Sequence, residues 1–409
     1  MQRWIVWGLA AAFVILNYAQ QVFPDIVAPN LTKDLHASKS TLGDIAAAYF
    51  IAYATLQIPI GIALDRFGTR IPLALALLVA SIGSFLFSSA QSAESAILAR
   101  FIMGASAAFS FLGCLKLIQS WFPVSKFSTM AGLTETAGML GAASGVPIAL
   151  LVSAVGWRQS SMFIGLSELI IGVLIFILVR DRPPSVLPDG QEISETVSTS
   201  REATSFLKNP QVWLNATYAA SISLVIGAFG DLWGESFIKK SYGIDAVQAA
   251  DVGAFLFLGG IAGSLFFGWF ADYLGSRKKA MILGAIGGSL TIIPTLMFTG
   301  LPLAAFKSGL FLLGFFTGAS IVPYAVAREL YPRISGLSIG FLNTFYYVGS
   351  AMSQPLLGYM LGYHAQGGNT GKLGALTVGD YHFAFMPLII LMIVGLITSF
   401  IIKETCVNK

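Results

Sequence analysis

Twelve apolar runs, each near the roughly 20 residues that a helix needs to cross about 30 Å of hydrocarbon, constrain this chain more than any other feature. They lie near 4–28, 41–64, 71–90, 95–121, 127–153 and 157–180, then near 209–238, 247–271, 280–300, 304–329, 334–361 and 382–403. Inside lipid a segment must satisfy its own backbone polar groups, which makes helices the natural reading of runs this long. The first run, Trp4 to about Val27, exceeds a signal-peptide core and carries no small-residue cleavage pattern, so it is read as a span. Composition agrees, because 11% charged against 56% hydrophobic residues leaves too little charge to cover a soluble surface. The 43 glycines suit closely packed transmembrane helices.

The runs fall into two sets of six. Between them, 181–208 is rich in Pro, Ser, Thr and both charge signs and is read as a cytoplasmic linker between bundles at 1–180 and 209–409. With the N-terminus inside, 14 Lys/Arg lie in inner loops and tails and 7 in outer ones, so both termini are expected in the cytoplasm. The expected fold class is an all-α membrane protein of 12 transmembrane helices in two pseudo-symmetric six-helix bundles.

The two sets are related by an internal repeat. Gly61-Ile-Ala-Leu-Asp65-Arg66-Phe-Gly68-Thr-Arg70 joins spans 2 and 3, and Gly268-Trp-Phe-Ala-Asp272-Tyr-Leu-Gly275-Ser-Arg277 joins spans 8 and 9. Glycine, aspartate, glycine and arginine recur at a constant offset of 207 residues, as in parallel six-span repeats. Gly68 and Gly275 permit a tight turn. Asp65 and Asp272 are placed to cap a neighbouring helix N-terminus, Arg70 and Arg277 hold the loops at the anionic inner face, and Arg66 belongs to the same candidate switch loop.

The first loop matches the G-x-x-x-D-R-x-G-x-R signature and the second departs from it at Tyr273; on them the chain resembles the major facilitator superfamily over nearly its whole length. Arg100-Phe-Ile-Met-Gly104 in span 4 is similar to that family's second motif. Gly138-x-x-Gly141-x-x-x-Gly145-Val-Pro147 matches the antiporter motif only in part, because its Gly-Pro pair is interrupted. Stretches such as Gln57-Ile-Pro-Ile-Gly61, Trp121-Phe-Pro123, Gly156-Trp-Arg158, Gly340-Phe-Leu-Asn343 and Gln354-Pro-Leu-Leu-Gly358 resemble the bacterial phagosomal-transporter branch and the related lysosomal dipeptide transporters. That resemblance implies the major facilitator fold, with spans 1, 4, 7 and 10 around a central cavity. It also implies uptake of amino acids, short peptides or nucleosides.

A charge inside a span costs a few kcal/mol and needs a partner or a function. Arg100 in span 4 and Asp231 and Glu235 in span 7 lie one to two turns below the outer face. The resemblance lets Arg100 face either acid, as an outer gate or as a clamp for a zwitterion. The alternative is that Arg100 bonds carbonyls of its own half while the acids reach water. Lys116 and Glu135 lie at similar depth near the inner face and are expected to pair, with Glu135 a second candidate for proton coupling. Glu168, midway along span 6 with no basic residue at its depth, is the first such candidate, against a helix-contact role. Asn17, Gln21 and Tyr53 are expected to line the cavity, and Tyr324 and Asn343 are further polar candidates for substrate contact, against a role as interhelical glue.

No phosphate-binding loop, nucleophile–base set or metal-ligand spacing is present, so neither ATP-driven transport nor an enzyme is expected. Cys114 and Cys406 make no disulfide framework, and no basic run carries the interleaved aromatics of a nucleic-acid surface. No metal or cofactor is expected; the partners are a small polar solute, a proton and the lipid bilayer, and the chain is expected to act as a monomer. The leading expectation is proton-coupled uptake of an amino acid or short peptide by alternating access. Efflux of drugs or siderophores by proton antiport, and nucleoside uptake, are the alternatives. The short N-terminal tail leaves no room there for a lysosomal sorting signal, which favours a bacterial inner membrane.

Overall fold

The computed structural model describes residues 2–182, 199–365 and 376–406. Eleven helical stretches among the described residues are long and apolar enough to cross a membrane. A further 31-residue helix at Ser335–Ala365 occupies the place of the eleventh span. The protein is thus an all-α, multi-pass membrane protein, and the chain divides into two compact units.

The first unit comprises Met1–Phe127, Thr134–Glu202 and Pro332–Thr344. Its helices are α1 (Gln2–Asp34), α2 (Lys39–Phe67), α3 (Arg70–Ser88), α4 (Ala93–Trp121), most of α5 (Phe127–Ala142), α6 (Gly145–Val155) and α7 (Trp157–Leu178). Span 5 is therefore two helices rather than one. The break at 143–144 falls inside the glycine-rich stretch, just before Pro147, and the Ser144 hydroxyl closes the turn on the Gly141 carbonyl at 2.5 Å. Packing follows the small residues: α2 lies against α4, and a Cβ on Gly104 would stand 2.1 Å from the Tyr49 carbonyl. Only glycine allows that approach.

The second unit comprises Ser128–Leu133, Ala203–Tyr331 and Phe345–Lys409. It holds most of α8 (Thr199–Lys208), then α9 (Pro210–Leu224), a π-helical stretch Val225–Trp233, α10 (Gly234–Tyr242), α11 (Ala246–Leu274) and α12 (Arg277–Met297). There follow α13 (Leu303–Thr317), α14 (Val322–Leu330), most of α15 (Ser335–Ala365) and α16 (Val378–Ile401). Two glycines of α11 one helical turn apart and one of α13 knit the two helices together. A Cβ on Gly259 or Gly263 would meet the Phe311 or Phe315 carbonyl at 2.0 or 1.9 Å, and one on Gly314 the Leu256 carbonyl at 1.9 Å.

Of the stretch read as a linker, 183–198 lies outside the described residues, whereas its last ten residues form α8. Phe206 of α8 is buried edge-on against Tyr331. Helices α4, α11 and α16 each begin with a reciprocal capping box, on Ser92/Ser95, Asp245/Gln248 and Thr377/Asp380. By the orientation argued above these are the outer starts of spans 4, 8 and 12, where orphan N–H groups most need side-chain partners.

Candidate functional site

The first unit carries a buried polar network that begins at a proline. In an α-helix the N–H of residue 24 would bond the carbonyl of residue 20, but Pro24 lies inside α1 and has no N–H. The Gln20 carbonyl is left to another donor, and Arg100 Nη1 takes it at 2.8 Å. Arg100 is fully buried on α4. Its Nε donates to the Ile45 carbonyl at 3.4 Å, and the guanidinium lies over the Tyr49 ring, 4.3 Å from the centroid. Arg100 Nη2 has no hydrogen-bond partner, and among the described residues no carboxylate is in salt-bridge contact with Arg100. A buried cation held by dipoles and a ring, with one donor unused, is suited to receive an anion.

Two arms extend from this centre. The Tyr49 hydroxyl donates to Asn17 Oδ1, Gln21 Nε2 donates to the same oxygen at 3.2 Å, and Asn17 Nδ2 donates to Ser110 Oγ at 2.7 Å. On the other side the Gln20 side-chain amide donates to Glu168 Oε1 and to Ser84 Oγ, the latter at 3.1 Å. The Ser84 hydroxyl donates to Glu168 Oε2 at 2.8 Å. Glu168 is fully buried. Both of these hydrogen-bond partners, Gln20 and Ser84, are neutral.

Arg100 therefore bonds carbonyls of its own unit, which is the alternative raised to a pairing with span 7. Glu235 is exposed in the first turn of α10, and the Asp231 side chain lies outside the described residues. Tyr53 is buried, and Gln57 Nε2 donates to its carbonyl at 3.3 Å. Asn343, also in the first unit, is buried and donates from Nδ2 to Gln57 Oε1 at 3.1 Å. Tyr324 is half-buried in α14 of the second unit.

The expected Lys116–Glu135 pair is not formed. Lys116 Nζ instead pairs with Asp65 at 2.7 Å and donates to Ser335 Oγ at 3.0 Å. Similar depth in the membrane places two residues at one level but does not turn them toward each other, and Lys116 faces α2. Glu135 hydrogen-bonds with Tyr18.

All four positions of the repeated loop have a physical role. Gly68 (φ 76°) and Gly275 (φ 58°) end α2 and α11 in the positive-φ region that glycine tolerates. In the first unit Asp65 accepts from the N–H groups of Gly336 and Leu337, at 2.8 and 2.9 Å, and so caps α15. In the second, Asp272 accepts from the N–H of Thr129 at 2.6 Å and that of Ser128 at 3.4 Å, capping α5. Thr129 and Gly336 are themselves 207 residues apart, so the repeat extends to what each aspartate holds. Gly61 and Gly268 make room for these helix ends: a Cβ would stand 2.2 Å from the Gly336 carbonyl and 2.5 Å from that of Ser128.

The arginines diverge. Arg277 bonds Asp272 at 2.6 Å and Glu329 at 2.9 Å. Arg70 turns to the Phe176 carbonyl at 2.6 and 2.9 Å and stacks on that ring. Arg66 is exposed, its guanidinium over the Phe67 ring.

Sequence reasoning missed a second pair of acidic caps. Asp181 Oδ1 accepts from the N–H of Thr69 at 2.6 Å and of Arg70 at 2.9 Å, capping α3. Glu404 does the same for α12, accepting from the Ser276 hydroxyl and from the N–H of Arg277 at 3.0 Å and Lys278 at 3.3 Å. The signal was present: Val179-Arg180-Asp181 and Ile402-Lys403-Glu404 both stand directly beyond the last helix of a six-span set.

Burial raises the Glu404 carboxyl, but the Ser276 hydroxyl and the N–H groups of Cys406, Arg277 and Lys278 outweigh it and hold the group below its ordinary range. A depressed carboxylate contributes stability that is present above its unfolded value, about 4.3, and is lost as pH falls through the folded value. The Glu404→Gln variant should melt below the wild type at pH 7 in detergent, and the gap should close as both are titrated below about pH 4. A gap unchanged across that range would mean that the charge of Glu404 is not what caps α12.

Comparison with known proteins gives a consistent picture. The family model described as Major Facilitator Superfamily matches residues 9–234 and 232–405. The chain is similar to the "Membrane sensor protein UhpC" of Salmonella typhimurium, 25% identical over 375 residues, covering 86% of this chain and 84% of the relative. It is also similar to the "Hexuronate transporter" of Bacillus subtilis, 24% identical over 295 residues, covering 71% of this chain and 69% of the relative. Among solved structures, the Escherichia coli fucose:proton symporter FucP aligns with a TM-score of 0.78 at 15% identity, covering 99% of this chain and 100% of that one. At that identity the likeness concerns the fold.

Proposed function

Since the chain belongs to the major facilitator superfamily and is a secondary transporter rather than an enzyme, we propose that it takes up a small organic anion with a proton, as a monomer in the bacterial inner membrane. The observation that carries this reading is Arg100: a fully buried guanidinium that, among the described residues, has no carboxylate in salt-bridge contact and no hydrogen-bond partner for Nη2. Such a group is stabilised by an incoming carboxylate or other oxyanion, which it can grip through charge-assisted hydrogen bonds. The similarity to a hexuronate transporter supports a sugar acid as the substrate class, a hexuronate being a sugar carboxylate.

The amino-acid or short-peptide substrate expected from the sequence likeness finds no support in these relatives, which are not phagosomal or dipeptide transporters. Drug or siderophore efflux stays disfavoured by the interrupted antiporter motif.

Glu168 is the proposed proton carrier. Its neutral neighbours suit both protonation states: the Ser84 hydroxyl can donate to the carboxylate or rotate to accept from the acid. Asp65 and Asp272 are proposed as the switch points of alternating access. Each holds a helix start by its N–H groups, a contact that a small movement breaks completely.

A thermal-shift screen of the purified protein tests the substrate class directly. Sugar acids should raise the melting temperature, with stabilisation of about 2.7 kcal/mol at a hundredfold excess over Kd, and neutral sugars and dipeptides should not. Stabilisation by dipeptides alone would overturn the reading. The similarity to a membrane sensor gives a second outcome its meaning: an anion that binds but is not accumulated would make the chain a receptor on a transporter scaffold.

A further inference from the structure

We propose that Gln20 is the positioning residue that couples anion binding at Arg100 to protonation of Glu168. This inference rests on the anion–proton reading above and deepens it. Arg100 and Glu168 are both fully buried, have side chains that ionise with opposite sign, and make no hydrogen bond or salt bridge with each other. One residue holds both. The Gln20 backbone carbonyl, freed by Pro24, accepts Arg100 Nη1 at 2.8 Å, and the Gln20 side-chain amide donates to Glu168 Oε1. The amide also reaches Ser84 Oγ at 3.1 Å, so the two donors to Glu168 are themselves tied together.

With its carboxylate ionised, Glu168 balances the charge of Arg100 across Gln20. An anion on Arg100 leaves that buried set with one negative charge in excess, and a proton on Glu168 removes the excess. Each ligand therefore favours the other, and the dependence is reciprocal. The proton adds to one Glu168 oxygen and later leaves it; no other bond is made or broken. A guanidinium drawn toward a substrate pulls on the carbonyl of the same residue whose amide sits on Glu168, so position and charge change together.

The surroundings of Glu168 supply few competing charges. From α2, Tyr49 lies within electrostatic reach of Glu168, and Arg100 of α4 lies over the Tyr49 ring. From α1, exposed Asp25 acts on Arg100. The single charged residue of α3 is Arg70, which is bonded to the Phe176 carbonyl, and α6 has none.

Substitution at Gln20 separates the two contacts, because Gln20→Ala removes the amide and keeps the carbonyl. In proteoliposomes, counterflow exchange of a labelled sugar acid needs no net proton movement, whereas accumulation under an inward proton gradient does. Gln20→Ala should keep counterflow within about threefold of wild type and lose at least tenfold in gradient-driven accumulation, estimates that correspond to retaining Arg100 binding while losing the link. Its apparent substrate affinity should also lose the pH dependence of the wild type. Unchanged accumulation overturns the proposal, as does parallel loss of both activities in a protein of wild-type melting temperature. If Gln20→Ala does not fold, Gln20→Asn, which withdraws the amide by one methylene, decides by the same comparison. The wild-type arm keeps the two claims apart: no anion uptake there removes the underlying reading, whereas coupled uptake by both proteins removes the Gln20 proposal alone.

Discussion

Replacing Arg100 with glutamine is expected to abolish saturable anion uptake while leaving the helical fold intact. Truncating one partner of a buried charge pair costs about 2–5 kcal/mol, a loss of roughly 30-fold to several thousandfold in apparent affinity. The bound anion would be left in a buried site facing two carbonyl-bearing segments and the Tyr49 ring, none of which offers it a proton donor on the guanidinium's scale. Arg100→Lys should recover part of the loss, since it restores the charge without the planar fork. A direct binding titration of both variants checks this. Near-normal affinity in Arg100→Gln would place the anion elsewhere.

The second large effect concerns stability. Asp272→Ala should destabilise the protein more than Asp65→Ala, although the two residues occupy equivalent positions in the repeat. Asp272 shares Arg277, whose side chain is 1% exposed, whereas the Lys116 that pairs with Asp65 is 16% exposed. Removing one partner of a buried pair costs about 3–5 kcal/mol because the other charge is stranded. Lys116 can turn toward water, but Arg277 keeps, among the described residues, Glu329. Melting curves of the two variants in the same detergent measure the difference. Equal losses would show that helix capping, which both aspartates share, outweighs the ion pairs.

Much of the fold could be read before the structure, because a membrane converts hydropathy into helices almost directly. The repeat at a 207-residue offset named the loops and their caps, and the structure shows the same offset in the helix ends that those caps hold. What was not legible depended on direction rather than depth. Gln20 and Gln21 differ by one residue, about 100° around a helix; Gln21 reaches Asn17 and Tyr49, while Gln20 holds the centre of the network. The clue to Gln20 was Pro24, four residues on. Lys116 was assigned to Glu135 on depth alone, and its true partner lay on α2. Asp181 was set aside as part of a linker, though it folds back to cap α3. Each miss is a residue whose role is decided by a helix it does not belong to.

Gradient-driven uptake in proteoliposomes tests the transport of an anion with a proton most directly. Labelled sugar acids, a neutral sugar and a dipeptide would be offered to wild-type protein with and without an inward proton gradient, beside the Glu168→Gln and Arg100→Gln variants. The expected result is accumulation of a sugar acid that requires the gradient, survives in Glu168→Gln only as gradient-independent equilibration, and disappears in Arg100→Gln. Gradient-driven accumulation of the dipeptide or the neutral sugar with no uptake of any sugar acid would contradict it.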